Sequence, residues 1–239
     1  MIKEALQYIV GLSEPNIKEI NGETYTDKSL HRICHNPKAA PIELTTLSSL
    51  VDYIKSKSDT MEEKMIVHVV SPTQVKLYSN LDLDRVREYM VEIKAELPQF
   101  AFGRFVEHEN FIIGVQSMFI PNTDSELLLK FAGTVEGGTI ADYGDDGVSQ
   151  KATVKTGLAS KSDAIIPSPV ILKPYRTFTE VKQPESQFIF RMKEDKHNGG
   201  VQCALFEADG GAWKLEAMKN VKEYLEHELS EFEQFTIIS

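Results

Sequence analysis

The spacing of apolar residues switches repeatedly along the chain between a two-residue repeat and a helical repeat, and this switching restricts the fold more than any other feature. The clearest case lies near the C-terminal end. Residues 201–207 alternate as a half-buried strand does, whereas apolar residues after Trp213 recur at helical spacing. The sequence therefore predicts an α+β fold with a mixed, largely antiparallel sheet, flanking helices and a long C-terminal helix.

The length of the chain bounds the number of domains. With 239 residues, of which 41% are hydrophobic, the protein has enough apolar surface for a sizeable core. We expect a single α+β domain over residues 1–239. A subdivision into an N-terminal α+β part, 1–98, and a β-rich part with the C-terminal helix, 99–239, is the alternative.

Capping and turn residues predict several short elements along the chain. The pair Asn21-Gly22 readily adopts the positive φ angles of a type I′ hairpin. The further predictions are an amphipathic helix at the N-terminus, a helix capped by Thr46 that continues to Ile54, a hairpin over residues 65–79, a helix over residues 124–132 and a hairpin around residues 197–200.

Two longer segments have patterns that favour one element type each. Val86, Met90, Ile93 and Leu97 are helically spaced, so we expect a helix that begins at Asp84 and ends before Pro98. Residues 111–120 are apolar on both faces, which favours a central strand. The glycine-rich and aspartate-rich residues 133–168 predict short strands joined by mobile loops.

The charge balance limits the kinds of partner. The chain carries 26 Lys and Arg against 36 Asp and Glu, a formal net charge of −10 that disfavours binding to nucleic acid. No apolar run approaches the roughly 20 residues of a membrane span, and the N-terminus lacks the pattern of a signal peptide. Two cysteines, Cys34 and Cys203, are typical of a reducing compartment, so we expect a cytosolic protein.

The segment 205–217 concentrates acids, glycines and the single tryptophan of the chain between a strand and a helix. We expect Asp209 to cap the helix N-terminus and the glycines to allow the sharp turn. A glycine-rich bend before a helix also binds anions, but this one lacks the Gly-Lys-Ser/Thr ending of a phosphate loop and carries Glu207 and Asp209. A structural joint, with Trp213 as a packed anchor, is the favoured interpretation.

Arginines lie among aromatic residues over 174–191, where guanidinium groups can stack or bind carboxylates. If two strands flank residues 182–184, Arg176 and Arg191 lie on neighbouring strands and pair with Glu180 or Glu207. An ion pair beside the core or at a subunit interface is favoured over a ligand pocket. The candidate binding residues of the chain are Arg176, Glu180, Arg191, Glu207, Asp209 and Trp213.

Metal sites and catalytic motifs have little support. Asp142, Asp145 and Asp146 lie close together, but the twelfth residue from Asp142 is not the glutamate of a calcium loop. His31, Cys34 and His35 lack a second ligand pair for zinc. The sequence contains no nucleophile elbow, zinc-protease helix or dinucleotide-binding turn. We therefore expect no metal, no cofactor and no catalytic residues.

Two stretches, "PSPVILKPYRTFTEVKQPESQFIFR" and "CALFEADGGAWKLEA", resemble uncharacterised phage and prophage proteins and, more loosely, the YfdQ-like prophage family. The resemblance covers roughly residues 100–225 and is strongest over 167–216. It implies phage origin and action in the host cytoplasm. It names no substrate and transfers no catalytic residue.

The resulting hypothesis is a non-enzymatic phage accessory protein that self-associates and binds a host protein or a small anionic signal, with a role against host defence. Apolar strands with proline-marked edges favour pairing between subunits. The alternative is a metal-dependent phosphoesterase or nuclease that uses Asp142, Asp145, Asp146, Glu207 and Asp209. A decoy of nucleic acid ranks last, because lysines are mixed with the acidic residues along most of the chain.

Overall fold

The computed structural model divides the chain into two compact units, residues 1–39 and 40–239, which we treat separately. The residues that the structure describes are 2–11, 15–29, 38–136, 139–145, 150–156, 160–165, 169–194 and 200–239. The alternative boundary at residue 98 lies within the larger unit.

Helices and strands alternate irregularly along the chain. The helices are α1 (Ile2–Gly11), α2 (Leu47–Ser56), α3 (His108–Met118), α4 (Thr123–Glu136) and α5 (Trp213–Glu228). The strands are β1 (Ile17–Ile20), β2 (Glu23–Thr26), β3 (Ile42–Leu44), β4 (Met65–Ser71), β5 (Gln74–Tyr78), β6 (Tyr89–Lys94), β7 (Val106–Glu107), β8 (Phe119–Ile120), β9 (Thr139–Asp145), β10 (Gln150–Thr156), β11 (Ser160–Ile165), β12 (Val170–Pro174), β13 (Ser186–Glu194), β14 (Val201–Glu207) and β15 (Phe235–Ile238).

The smaller unit contains α1 and the antiparallel β1–β2 hairpin. Asn21 and Gly22 connect the strands with φ angles of 54° and 81°, which confirms the predicted primed turn. Apolar side chains of α1 are exposed, among them Leu6 at 57% and Ile9 at 61%. Within the smaller unit, this helix therefore has an uncovered apolar stripe.

The first large sheet has the strand order β15-β4-β5-β6-β3. Its central pairs are antiparallel, while β15 pairs parallel with β4 and β3 pairs parallel with β6. Helices α2 and α5 contribute the buried residues Leu50, Ile54, Val221 and Leu225 to the same core as its strands. Residues near the C-terminal end of the chain thus complete a sheet that begins at residue 42.

The second large sheet is antiparallel and has the order β7-β14-β13-β12-β8. Helices α3 and α4 share its core, which is rich in phenylalanine and includes Phe111, Phe131, Phe188 and Phe190. A separate three-stranded antiparallel sheet contains β9, β10 and β11. The α+β class with a mixed, largely antiparallel arrangement is confirmed.

Several local predictions are confirmed as well. The Thr46 Oγ1 atom accepts a hydrogen bond from the Ser49 backbone N–H at 3.2 Å, so Thr46 caps α2 as expected. The hairpins β4–β5 and β13–β14 and the helix α4 form where the sequence predicts them. Helix α5 is also present, but the chain continues beyond it into β15, which the sequence analysis did not predict.

The predicted helix from Asp84 to the residue before Pro98 is wrong, because this region contains strand β6. Val91 and Ile93 alternate into the first core at 0% exposure, whereas Val86 remains 48% exposed. The same residues fit a helical and an alternating pattern. Pairing with both β5 and β3 selects the strand.

The predicted central strand over residues 111–120 is also wrong, because α3 occupies most of this segment. His108, Phe111, Gly114 and Val115 are the buried positions of α3, at the spacing of one helical face. A Cβ atom on Gly114 would lie 3.0 Å from the Phe100 ring, so the glycine allows this ring to approach the helix closely. A short apolar run does not by itself distinguish a buried helix from a strand.

Strand β12 has an outer edge that side chains of the α4 region occupy. The Ile171 backbone N–H donates to Asp124 Oδ2 at 2.7 Å, and its carbonyl accepts from Asn122 Nδ2 at 2.8 Å. These two side chains replace the backbone groups of a further strand at this position. The edge is therefore protected against addition of another chain here.

Residues 175–183, which we call the connecting segment, tie the two large sheets together. The Thr177 Oγ1–H donates to the Pro72 carbonyl at 2.5 Å, at the turn between β4 and β5. Phe178 is 1% exposed and packs in the first core. Glu180 accepts hydrogen bonds from the backbone N–H groups of Leu47 at 2.8 Å and Ser48 at 3.3 Å. A distant acid thus supplements the local cap of α2.

We predict that Glu180→Ala lowers the free energy of unfolding by about 1 kcal/mol, because two N–H groups of the first turn of α2 lose their acceptor. Urea denaturation followed by circular dichroism measures this difference. Glu63→Ala, at an exposed glutamate before β4, is the matched control and leaves stability unchanged. Equal stability of the two variants contradicts the capping role.

Candidate functional site

The joint between β14 and α5 is a turn with two successive left-handed glycines. Gly210 has φ 64° and Gly211 has φ 83°, conformations that residues with a Cβ rarely adopt. The Asp209 Oδ1 atom accepts from the Gly211 N–H at 3.0 Å. The prediction that Asp209 is the N-cap is wrong, because Ala212 occupies that position without a side-chain hydrogen bond. Asp209 instead stabilises the turn that precedes the helix, although its carboxylate does accept, as expected, from a backbone N–H of the first turn, that of Trp213.

Arg176 reaches this joint from the connecting segment and is only 8% exposed. Its Nη1 group donates to Glu207 Oε1 at 2.7 Å, which is one of the pairings that the sequence left open. Its Nη2 group donates to Ser186 Oγ, and the Ser186 hydroxyl donates to Asp209 Oδ2 at 2.7 Å. A continuous hydrogen-bond chain therefore links β13, β14 and the turn before α5.

Two aromatic rings flank the guanidinium group. Its Cζ atom lies 4.0 Å from the centroid of the Trp213 ring and 5.5 Å from that of Phe188. Both distances lie in the range of cation–π attraction. Trp213 therefore anchors the first turn of α5 to the buried arginine.

Burial and charge act in opposite directions on the site's ionisable groups. Burial lowers the pKa of Arg176 to about 10, although the negative charges of Glu207 and Asp209 act to raise it. The arginine therefore stays protonated at neutral pH. Burial alone would raise the pKa of Asp209. Hydrogen bonds from the Ser186 hydroxyl and from the backbone N–H groups of Gly211 and Trp213, with the charge of Arg176, hold that pKa below its ordinary value.

An open cleft of about 540 Å³ lies against this cluster. We call it the acidic cleft, because the charged side chains that line it are Glu185, Asp209 and Glu216. Glu185 pairs with Lys173 at 2.8 Å. Glu216 is exposed and has no ion-pair partner among the residues that the structure describes. The wall of the cleft is therefore unfavourable for an anion and favourable for a cation.

Two of the predicted binding residues lie elsewhere. Glu180 caps α2, as described above, and does not contact Arg176. Arg191 lies on β13 opposite Ala204, and its Nη1 group donates to the Phe190 carbonyl at 2.9 Å. Arg176 itself follows the end of β12 and is not part of a strand. The structure thus brings together Arg176, Glu207, Asp209 and Trp213.

Two polar residues of the site were missed by the sequence analysis. Ser186 links Arg176 to Asp209, and the 3% exposed Gln183 holds the connecting segment. The Gln183 Oε1 atom accepts from the backbone N–H groups of Arg176 and Thr177 at 3.1 and 3.2 Å. Its Nε2 group donates to the carbonyls of Thr177, Phe178 and Val181. No sequence pattern distinguishes a buried glutamine of this kind from an exposed one.

The proposed metal ligands fall into three groups. Glu207 and Asp209 already bind Arg176 and Ser186. Asp142 and Asp145 lie on β9, where only the backbone is described, and Asp146 lies outside the described residues, as does the histidine-rich segment 31–35. Among the described side chains, no three His, Cys, Asp or Glu residues cluster as metal ligands.

Cys203 is a free cysteine buried in the second core, and burial raises the pKa of its thiol to about 12. Its thiol is therefore protonated at neutral pH and poorly nucleophilic. Cys34 lies outside the described residues. Cys203 belongs to the packing of β14 and not to the candidate site.

No family model, curated protein or solved structure matches the chain. The described residues contain no helix with both the length and the apolar character needed to cross a membrane.

We predict that Asp209→Asn reduces stability at pH 7 but not at strongly acidic pH. Because the folded state lowers the pKa of Asp209 below 3.8, its ionised form stabilises the protein above about pH 4, and this contribution disappears as the pH falls. Urea denaturation of both proteins from pH 7 to pH 2 measures the difference. A wild-type advantage that is constant over this range contradicts the assignment.

Proposed function

We propose that the protein is a phage-encoded accessory protein that acts in the host cytoplasm by binding, with a basic side chain of a host protein as the ligand of the acidic cleft. The phage origin and a role against host defence rest on the sequence resemblance described above. The choice of ligand rests on one observation: the buried guanidinium of Arg176 is already paired with Glu207, and the cleft beside it presents acids.

The charges of the cleft favour a basic partner over the small anionic signal that the sequence also predicts. An anion beside Trp213 would approach Asp209 and Glu216, whereas the positive charge of Arg176 lies behind the ring and is compensated. The indole already contacts one guanidinium at 4.0 Å. Aromatic and acidic groups together suit recognition of an arginine or lysine side chain.

The arrangement also supports binding rather than turnover. The alternative, a phosphoesterase, would use Glu207 and Asp209. In the structure these two acids form hydrogen bonds with Arg176 and Ser186, respectively. A metal ion at these carboxylates would have to displace the arginine. The geometry thus gives the hydrolytic alternative no specific support.

We expect a fluorescein-labelled peptide of alternating glycine and arginine to bind the protein, and Glu216→Lys to weaken its binding about tenfold, because the variant places a like charge in the cleft. Fluorescence anisotropy measures the affinity. Glu231→Lys, at an exposed glutamate after α5, is the control with the same change of charge. Equal weakening by both variants, or tighter binding of an acidic peptide of the same length, contradicts the proposal.

We also propose that the protein self-associates through the smaller unit. Leu6, Ile9 and Val10 of α1 are each more than half exposed, as are Ile17 and Tyr25 of the hairpin. An isolated helix of ten residues is marginal in water unless its apolar face packs against something. A second copy of the chain, which presents the same stripe, provides such a surface.

We predict that the wild-type protein is an oligomer at micromolar concentration and that the double variant Leu6→Glu, Ile9→Glu is a monomer, because charges on the stripe oppose its burial. Size-exclusion chromatography with light scattering measures the mass. Leu83→Glu, at a leucine that is 99% exposed in the larger unit, is the control and leaves the mass unchanged. A monomeric wild type contradicts self-association.

A further inference from the structure

The second large sheet has a face that points away from its own core. Phe188, Phe190 and Met192 of β13 pack in the second core with α3 and α4, so the residues between them lie on the opposite side of the sheet. We call this side the outer face. Its residues on β13 and β14 are Gln187, Ile189, Arg191, Lys193, Ala204 and Phe206.

The acidic cleft opens at one end of the outer face. Gln187 lines this cleft together with Ile171, which is its register partner on β12 and is 42% exposed. The Ala208 backbone N–H donates to the Gln187 carbonyl at 2.9 Å, and Ala208 also lines the cleft. A ligand in the cleft is therefore in position to extend along β13.

The other end of the outer face is basic. Arg191 is partly buried and donates to a backbone carbonyl of its own strand, and the Lys193 Nζ atom lies 4.2 Å from the centroid of the Phe105 ring. Neither cation forms an ion pair with a described residue. Glu107, across β14 from Lys193, accepts a hydrogen bond from Asn110 at 3.4 Å. This end of the face therefore favours a carboxylate.

Apolar side chains connect the two ends. Ile189 lies opposite Phe206 in the register of β13 and β14, and both are partly buried. The Phe206 ring contacts Phe105 edge to face, with centroids 6.1 Å apart. Four residues of a strand separate the acidic end from the basic end, which is about 13 Å. Two turns of an α-helix, about 11 Å, span nearly the same distance.

We propose that the partner of this surface is an amphipathic α-helix of a host protein. Its basic side chain enters the acidic cleft, its apolar stripe packs on Ile189 and Phe206, and an acidic side chain two turns away pairs with Arg191 and Lys193. A helix suits a sheet face because its backbone groups are already hydrogen-bonded to each other. This inference rests on the proposed function and adds the shape and the second charge of the partner.

Single-stranded nucleic acid is the other class of partner that basic and aromatic side chains attract. Here the Lys193 ammonium lies over the Phe105 ring, where a base would stack. The chain also carries a formal net charge of −10, which repels a polyphosphate more than a helix with a single carboxylate. The charges therefore favour the helix.

The test uses fluorescein-labelled, alanine-rich helical peptides of about 20 residues. Each carries one arginine and one glutamate two turns apart, with leucines on the same face between them. Two peptides with opposite orders of these charges cover both directions along β13, and each has a matched peptide with glutamine in place of glutamate. We expect at least one glutamate peptide to bind about fivefold more tightly than its glutamine counterpart. Fluorescence anisotropy measures the affinities.

Variants of the protein locate the contact. The double variant Arg191→Gln, Lys193→Gln is expected to bind the glutamate and glutamine peptides equally. The double variant Lys64→Gln, Arg85→Gln, at two exposed cations before β6, makes the same change of charge and keeps the fivefold difference. If the first double variant does not unfold in a single cooperative transition, Lys193→Gln alone replaces it and reduces the difference to about twofold.

Three results overturn the helical partner: no preference for glutamate in either order, an unchanged preference in the variant that lacks the cations, or tighter binding of a labelled thymidine oligonucleotide at physiological salt. The glycine and arginine peptide tests the acidic cleft alone. Its binding without a glutamate preference overturns only the helical partner. Its failure to bind, with a glutamate preference present, overturns the basic ligand of the acidic cleft and supports the carboxylate contact.

Discussion

The rest of the larger unit depends on the hydrogen bonds that the side-chain amide of Gln183 forms with the connecting segment. Its oxygen and nitrogen together bind backbone groups from Arg176 to Val181, so an irregular segment acquires one defined shape without belonging to a helix or a strand. From that shape, Arg176 extends to the joint between β14 and α5, while Phe178 and Glu180 extend to the first core and α2. One buried, fully bonded polar group thus positions parts of both sheets.

The arginine held in this way separates two surfaces of different chemistry. On one side, its guanidinium group pairs with Glu207 and is shielded by the Trp213 ring. The acids that line the acidic cleft therefore determine the electrostatic potential in that cleft. On the other side, it borders aromatic rings that the second core keeps in place. The same side chain therefore lies between an acidic surface and an aromatic one.

Sequence patterns predicted the parts of this architecture that local chemistry determines. The Thr46 cap, the Asn21-Gly22 turn and the change from strand to helix after residue 207 all depend on neighbours within a few residues. The regions 84–98 and 111–120 were assigned wrongly because their apolar spacing fits both element types, and distant strands and helices decide between them. The Arg176–Glu207 pair was predicted among alternatives, but Ser186 and Gln183 were not, since their partners come from loop geometry.

The parallel pairing of β15 with β4 has a consequence for the order of folding during synthesis. Strand β4 begins at Met65, yet one of its neighbours and one of the helices covering its sheet come from residues 213–238. The first sheet therefore remains incomplete on the ribosome until residue 238 has been translated, whereas the second sheet, over residues 106–207, has all of its strands earlier. Strands β3 to β6 are translated first within the larger unit. We nevertheless expect them to be the last to become protected from amide exchange.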